Sequence, residues 1–437
     1  LSLSAARPGV LHVVGGGLAG LSAAVEAAAA GRRVCVYEAG PAFGGRARSF
    51  LDRQLGCRID NGNHLLLSAN GATLEFLRRI GSEDTLVGPE APVFPFCEPA
   101  AGLHWTLRLS RGRVPWWLLS ARRRVPGMRL GELASLGRLL RAGPDTVVSA
   151  CLADGALARR LLVPLAVSIL NTQPGEGSAA LLAAVMRDTL AKGGAACLPL
   201  VPEEGLSETF ADPAVGMLAG SGAELRTATR LQGVVTEGRR VVGLSLPDGV
   251  RTVGPSDQLV LAVPAPVAAE LLREAWPALV VPDAFESIVN VHYRVELADR
   301  LTGAVARCRF IGLVGTLAEW IFVKREVVSV TISAANHLAE LPADALVHTA
   351  WGEIRAALSP HLRRGTALPA EPPPVRVLRE KRATFAATPR QERRRPACRT
   401  PIENLFLAGD WTATGLPSTI EGAIRSGSVA ARLAESA

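Results

Sequence analysis

Hydrophobic and polar residues change period along this chain, and each change marks an element. Residues 10–14 (VLHVV) form an apolar, β-branched run that reads as a buried strand. Residues 18–30 are an alanine-rich helix closed by Gly31, and Val34–Tyr37 is a second strand. Residues 49–67 (SFLDRQLGCRIDNGNHLLL) read as a strand pair ending in the polar turn Asp60-Asn61-Gly62-Asn63-His64, with Gly62 free to take a positive φ. Leu74, Leu77 and Ile80 give helical spacing over 71–80, which opens a second domain. Residues 104–109 alternate as a strand, and 130–140, 157–167 and 179–190 are helical. Between the last two, Ser168 to Pro174 is a polar break. It either ends a helix before the proline or puts Asn171 and Thr172 into a cavity.

The second half returns to the first domain through 223–236 and through strands at 241–246 and 258–263, the latter followed by a helix over 267–273. Strands at 289–297 and 320–333 and an amphipathic helix at 343–358 belong to a substrate-domain sheet, and 369–374 is a proline-rich connector. A buried strand at 405–408 and a helix at 418–433 finish the chain. The expected fold class is α/β. On the family resemblance carried by the motifs below, a Rossmann-like cofactor domain of the two-dinucleotide-binding type is expected from 1–70, 201–275 and 391–437. It carries an inserted mixed-sheet plus helices substrate domain, from 71–200 (helical, membrane-facing) and 276–390.

The chemistry begins where the first strand meets the first helix. Gly15, Gly17 and Gly20, in Gly15-Gly16-Gly17-Leu18-Ala19-Gly20, are spaced G-x-G-x-x-G. The first allows a tight turn, the second lets a pyrophosphate approach the backbone, and the third lets the helix pack closely on the strand. Free amides and the positive end of the helix dipole then face the phosphates. Glu38 ends the second strand eighteen residues beyond Gly20, near the usual spacing of about 20 for a carboxylate that takes a ribose hydroxyl. After Glu38-Ala39 comes a second glycine pair, Gly44-Gly45-Arg46-Ala47, with arginines able to lie against the pyrophosphate or a flavin edge.

Composition narrows the class. With 437 residues, 48% hydrophobic and 20% charged, the chain supports two or three domains without disulfide or metal. The net charge of +8 is almost wholly arginine, since Lys192, Lys324 and Lys381 are the only lysines. Arginine excess points to anionic partners, either cofactor phosphates or lipid headgroups; no nucleic-acid motif appears. Seven scattered cysteines, none in C-x-x-C, read as reduced thiols of a cytoplasmic protein, with neither zinc nor a redox disulfide expected. Residues 1–9 are too short for a signal peptide, and no apolar run reaches ~18 residues. Residues 111–128 set Trp116-Trp117-Leu118-Leu119 among Arg111, Arg113, Arg122, Arg123 and Arg124. This suits either peripheral docking on the anionic inner face of the cytoplasmic membrane or a core helix edge with a solvated basic flank.

The glycine frame with Gly44-Gly45-Arg46 resembles the FAD signature of the amine oxidase and carotenoid (phytoene) desaturase superfamily. In that likeness 60–64, with Asn61 and Gly62, runs beside the flavin ring. Val234 offers backbone groups to the adenine, Gly409-Asp410 closes on the ribityl or phosphate side, and amides of Ser418, Thr419, Ile420 and Glu421 face the flavin pyrimidine edge. The likeness narrows at Asp60 to Leu67, at Leu170-Asn171-Thr172-Gln173-Pro174, at Arg379 to Phe385 (REKRATF) and at Ala408 to Ala423. There the chain resembles the hydroxysqualene dehydroxylases, a squalene-associated FAD-dependent desaturase family of hopanoid-producing bacteria. It departs from that pattern at Asn63, where Gln is commoner, and at Asn70-Gly71.

The resemblance implies reductive removal of an allylic hydroxyl from a C30 isoprenoid, giving squalene. His64 is the expected acid or proton relay because an unperturbed imidazole titrates near neutrality. Asp60 orients it or caps the turn, and Asn63 and Asn171 hold the hydroxyl. Two other classes stay open: an oxidative polyene desaturase or amine oxidase, and a non-catalytic isoprenoid-binding escort protein. Amine oxidases usually carry a lysine near flavin N5 and an aromatic cage; with three lysines and two tyrosines, only Lys324 keeps that reading alive. No second G-x-G-x-x-G follows a strand, so the electron donor is unknown.

Overall fold

The computed structural model describes residues 9–437; the short stretch before them, where no signal peptide is expected, lies outside the described residues. Two sheets organise the rest. The first is parallel and five-stranded, in the order Glu224–Arg226, Val34–Tyr37, Leu11–Val14, Gln258–Leu261, Leu405–Leu407. The first strand lies at its centre and the chain winds outward both ways, which opens a crevice at the strands' carboxyl ends, the usual place for a dinucleotide. Helix Leu18–Ala29 packs on this sheet and against the C-terminal helix Ile420–Glu435. That contact is very close: a Cβ on Gly427 would stand 2.0 Å from the Ala19 carbonyl oxygen.

The second sheet has seven strands, in the order Val375–Phe385, Phe285–Arg294, Val327–Ile332, Trp320–Val323, Phe310–Leu313, Val93–Glu98, Leu103–Arg108. Its two faces follow from the period of two along each strand. Val289, Val291, Tyr293, Val328, Val330 and Ile332 turn one way, onto helix Ala343–Leu358. Asn290, His292, Ser329 and Thr331 turn the other way.

Several expectations are corrected. Helix Gly71–Ile80 does not open a separate domain: Phe76, Leu77 and Ile80 pack with the cofactor domain. Within 71–200 the expected strand at 104–109 is present as Leu103–Arg108, but it pairs in the second sheet with an unexpected strand, Val93–Glu98, so the segment is less helical than expected. The run 320–333 is a hairpin, turned by the charged Lys324-Arg325-Glu326. Gly62 does not use a positive φ.

Candidate active site

The glycine loop is built as its spacing requires. Gly15 has φ 105° and a Cβ on it would lie 2.4 Å from the Ala262 carbonyl oxygen. On Gly20 a Cβ would lie 1.8 Å from the carbonyl oxygen of Gly15, whereas on Gly17 it would meet only the Gly45 Cα, at 3.9 Å. The loop is thus tight behind and open in front, at the amino end of helix Leu18–Ala29. The second glycine pair lies directly against it: Gly44 N donates to the Gly16 carbonyl (2.8 Å) and pairs with Gly17. Glu38 accepts from Gly16 N (2.7 Å) and Gly40 N (2.6 Å), which fixes its carboxylate at the loop's edge. The segment bonded to that edge is Ala228-Thr229, whose amides reach Gly40 O and Glu38 O, while Val234 lies further along in strand Gly233–Glu237.

The far end of the chain closes this cradle. Arg46 donates to Asp410 Oδ1 (2.6 Å) and to the Ala383 carbonyl. Its side chain keeps 47% of its surface exposed although it lies between the two chain ends, so it borders an internal cleft. Arg395, fully buried, ties down the Asp410 carbonyl and Thr414 Oγ1 and stacks over Phe385. Gly409 donates to Ser426 Oγ. Thr419 caps the last helix by accepting from Gly422 N. Ser418 Oγ is buried without a protein partner. An open glycine loop, an edge carboxylate, a cleft-lining arginine and an orphaned hydroxyl at a helix amino end together fit an extended dinucleotide.

Glu421 does something the sequence did not announce. Its buried carboxylate accepts from Ala72 N, Thr73 N and Thr73 Oγ1, capping helix Gly71–Ile80. Only its backbone remains for a cofactor.

Past Arg46 the cleft meets the polar turn and the second sheet. Asn61 N bonds the Arg48 carbonyl, and Asn61 Nδ2 bonds Arg46 O (3.3 Å). Asn63 Nδ2 donates to Thr331 Oγ1 (3.0 Å), Thr331 donates to Asn290 Oδ1 (2.9 Å), and Asn290 Nδ2 donates to Asn61 O (3.3 Å). This chain of bonds holds Asn63 by its Nδ2. Asn171 is different: Oδ1 accepts from Ala334 N (2.6 Å) and Nδ2 donates to Thr384 Oγ1 (2.9 Å). With φ 47° it ends helix Val163–Leu170 and spends its buried amide on holding the wall together.

Asp60 does not hydrogen-bond His64. It accepts from Ser49 Oγ (2.7 Å) and Leu206 N (2.9 Å) on one oxygen and pairs with Lys324 on the other. His64 has no hydrogen bond among the described residues and retains some access while enclosed by protein. Burial first, then Asp60 against it and Arg46 and Lys324 with it, leaves its pKa pulled down to about 4. The imidazole is neutral at pH 7, so it is not the standing acid near neutrality that an unperturbed ring would be. Behind it His292, with Nδ1 on Ser329 Oγ (2.7 Å), is likewise lowered to about 4 by burial.

One row of residues crosses the second sheet from this point. By register it runs Asn290, Thr331, Trp320, Gly312, Phe96, Trp105. The next row runs His292, Ser329, Phe322, Phe310. Both pass from polar groups beside the turn to aromatic rings away from it. The period-two polar positions in FESIVNVHYR and VVSVTI were a readable signal for Asn290, His292, Ser329 and Thr331. Arg395, inside an arginine run that looks like a solvated surface, gave none.

Comparison with known proteins follows the same lines. The family model of flavin containing amine oxidoreductases matches residues 18–434. The chain is 42% identical over 426 residues to a hydroxysqualene dehydroxylase of Zymomonas mobilis, covering 97% of this chain and 99% of that one. It is 43% identical to one of Rhodopseudomonas palustris, covering 97% of each. Among solved structures, an oxidoreductase from Methanosarcina mazei superposes with a TM-score of 0.69 at 14% identity, over 97% of this chain and 99% of its own, a likeness of fold.

Proposed function

The chain belongs to the flavin containing amine oxidoreductase family, among its hydroxysqualene dehydroxylases, and from that premise we propose that it replaces the allylic hydroxyl of hydroxysqualene with hydrogen, giving squalene. The observation that carries the reading is the polar-to-aromatic gradient across the second sheet. A long hydrocarbon bearing one hydroxyl needs such a wall, with hydrogen-bonding groups at one pole and aromatic surface elsewhere. Bound FAD, once reduced, supplies hydride from N5. The chain's own groups do the rest. Gly15 to Gly20 with Gly44-Gly45 hold the pyrophosphate, Glu38 a ribose, and Arg46 with Asp410 the middle of the cofactor. Asn63, fixed by Thr331, orients the substrate hydroxyl. His64 gives that oxygen a proton as the C–O bond ionises, and the apolar surroundings keep water from the allylic cation. Asn171 is left out of the reacting groups, because both ends of its amide are already bonded.

Amine oxidation is disfavoured by particular residues. Lys324 spends its ammonium on Asp60. Tyr37 is buried against His12, and Tyr293 donates to the Val347 carbonyl on the far face of the sheet, so neither tyrosine is available to cage an amine. The test is anaerobic mixing of dithionite-reduced protein with hydroxysqualene, where squalene should form in step with flavin reoxidation. Absence of squalene, with the oxidised flavin instead reduced by a polyene or an amine, would falsify the reading. His64→Ala is expected to slow the single turnover by about 100-fold.

We also infer that the protein docks on an anionic phospholipid surface. Trp116 and Leu119 are 64% and 71% exposed beside Val114 and Leu130, within the arginine collar at 111–124. Apolar side chains that enter the interface while arginines meet phosphate suit such a surface. Trp117 is excluded from this role, being a core residue at 5% exposure. A Trp116→Ala, Leu119→Ala double variant should lose most of its co-sedimentation with phosphatidylglycerol vesicles; retention equal to wild type would count against docking. No helix among the described residues is long and apolar enough to cross a membrane.

A further inference from the structure

A shallow surface pocket, about 350 Å³ counting the open solvent at its mouth, lies between Lys324-Arg325 of the hairpin turn, the end of helix Gly303–Cys308 and residues 201–203. Its wall carries Lys324, Arg309, Arg325 and Glu203. Lys324 links this pocket to a buried carboxylate. Its side chain is 22% exposed, yet its ammonium pairs with Asp60 Oδ2, on a side chain only 4% exposed. The pair therefore joins a partly exposed ammonium to a buried carboxylate. Near it stand His64 and His292, both of which feel the charges of Asp60 and Lys324. Glu208 borders the pair through Ser49 Oγ, which also contacts Asp60.

A buried ion pair is a poor stabilising device, because desolvation offsets most of its attraction. The direct contact of an ammonium with a carboxylate nevertheless gives a proton a path from one to the other. The reaction proposed above gives such a movement a use, and the inference rests on that reading. As the C–O bond breaks, the hydroxyl leaves with a proton as water, and hydride from reduced flavin forms the new C–H bond. Alcohol, hydride and one proton become hydrocarbon and water. If the reduced flavin is the N1 anion it would give hydride and no proton, so the proton for the leaving oxygen must then reach this water-poor site through the protein in every turnover.

We propose that the Lys324–Asp60 pair is the proton inlet of the site. Lys324 Nζ passes its proton to Asp60 Oδ2, Asp60 passes it inward through water to His64, and the free amine takes another from water in the pocket. Lys324 acts through Asp60 and touches no reacting atom.

Lys324→Arg and Lys324→Met test this, with bound flavin per chain as the control for folding. Arginine keeps the ion pair but holds its proton too tightly to relay it. Squalene formation by the reduced Lys324→Arg protein should fall by at least about tenfold, with a larger solvent deuterium isotope effect than wild type. Lys324→Met should be slow and be rescued by ethylamine and other primary amines, its rate following the basicity of the amine added. In the oxidised Lys324→Met protein, NMR titration should find His64 moved upward, because a nearby cation is gone. Wild-type rate and isotope effect in Lys324→Arg overturn the inlet alone. Rescue independent of amine basicity also overturns it, by reducing Lys324 to a charge. A wild type that forms no squalene removes the parent reading and the proton demand together.

Discussion

Gly20→Ala is expected to yield a chain that no longer retains flavin. The added Cβ would meet the Gly15 carbonyl oxygen at 1.8 Å, with the Ala262 Cβ at 3.3 Å. The nearer obstacle is backbone and belongs to the very loop that must face the cofactor. Relief comes only by lifting helix Leu18–Ala29 off the sheet, and that moves its free amides away from where we propose the cofactor phosphates sit. Overpacking of this kind costs ~1–3 kcal/mol in a core that can shift, and this one is also held by Gly427 against Ala19. FAD affinity should fall by about 100-fold or more, equivalent to ~2.7 kcal/mol. Titration of FAD into apoprotein measures it. Gly216→Ala, on a helix position facing open space, should bind as wild type does. Equal affinity in Gly20→Ala would mean that the loop is not the phosphate site.

The second large effect is on stability. Glu421→Ala removes the acceptor for Ala72 N (3.1 Å), Thr73 N (2.9 Å) and Thr73 Oγ1 (2.8 Å), and also a partner of Arg425. Buried donors left without a partner cost ~1–3 kcal/mol each when water cannot reach them. With some relaxation the loss should be on the order of 3 kcal/mol. It should appear as a Tm several degrees lower and faster amide exchange in helix Gly71–Ile80, with Glu421→Gln recovering part of it. Flavin affinity should change much less, because the backbone amides at 418–421 stay where they are. A large loss of affinity with an unchanged Tm would return the Glu421 side chain to the cofactor.

What could be read from the chain and what could not divide along a physical line. The first strand, glycine loop and helix, the acid at Glu38 and helix Ala343–Leu358 are specified by neighbours in sequence, and the structure has them where the pattern placed them. Strand Val375–Phe385 went unread because it is an edge strand, and its Arg379-Glu380-Lys381-Arg382 stretch hides any alternation. Trp117 and Trp116 are adjacent and alike in sequence, yet one is core and the other surface, which only the packing of the turn decides. The neutral state of His64 depends on elements folded around it, and the partner of Asp60 is 264 residues away. Glu319 was likewise silent: burial raises its pKa to about 8, opposed by a hydrogen bond from Ser333 N. Nothing beside it in sequence foretold that.

The contact between the two ends of the chain bears on how the protein is made. Ser22 Oγ bonds the Ile424 carbonyl across 402 residues, and Leu405–Leu407 is the last strand to enter the parallel sheet. Synthesis from the amino end therefore releases the glycine loop and its helix first and leaves that helix's apolar side uncovered until almost the whole chain has emerged. Ribosome-bound chains halted before residue 405 lack both the sheet edge and the final helix, so added flavin has nothing complete to bind. Cofactor uptake is then expected to wait on residues 405–435, whatever has folded before them.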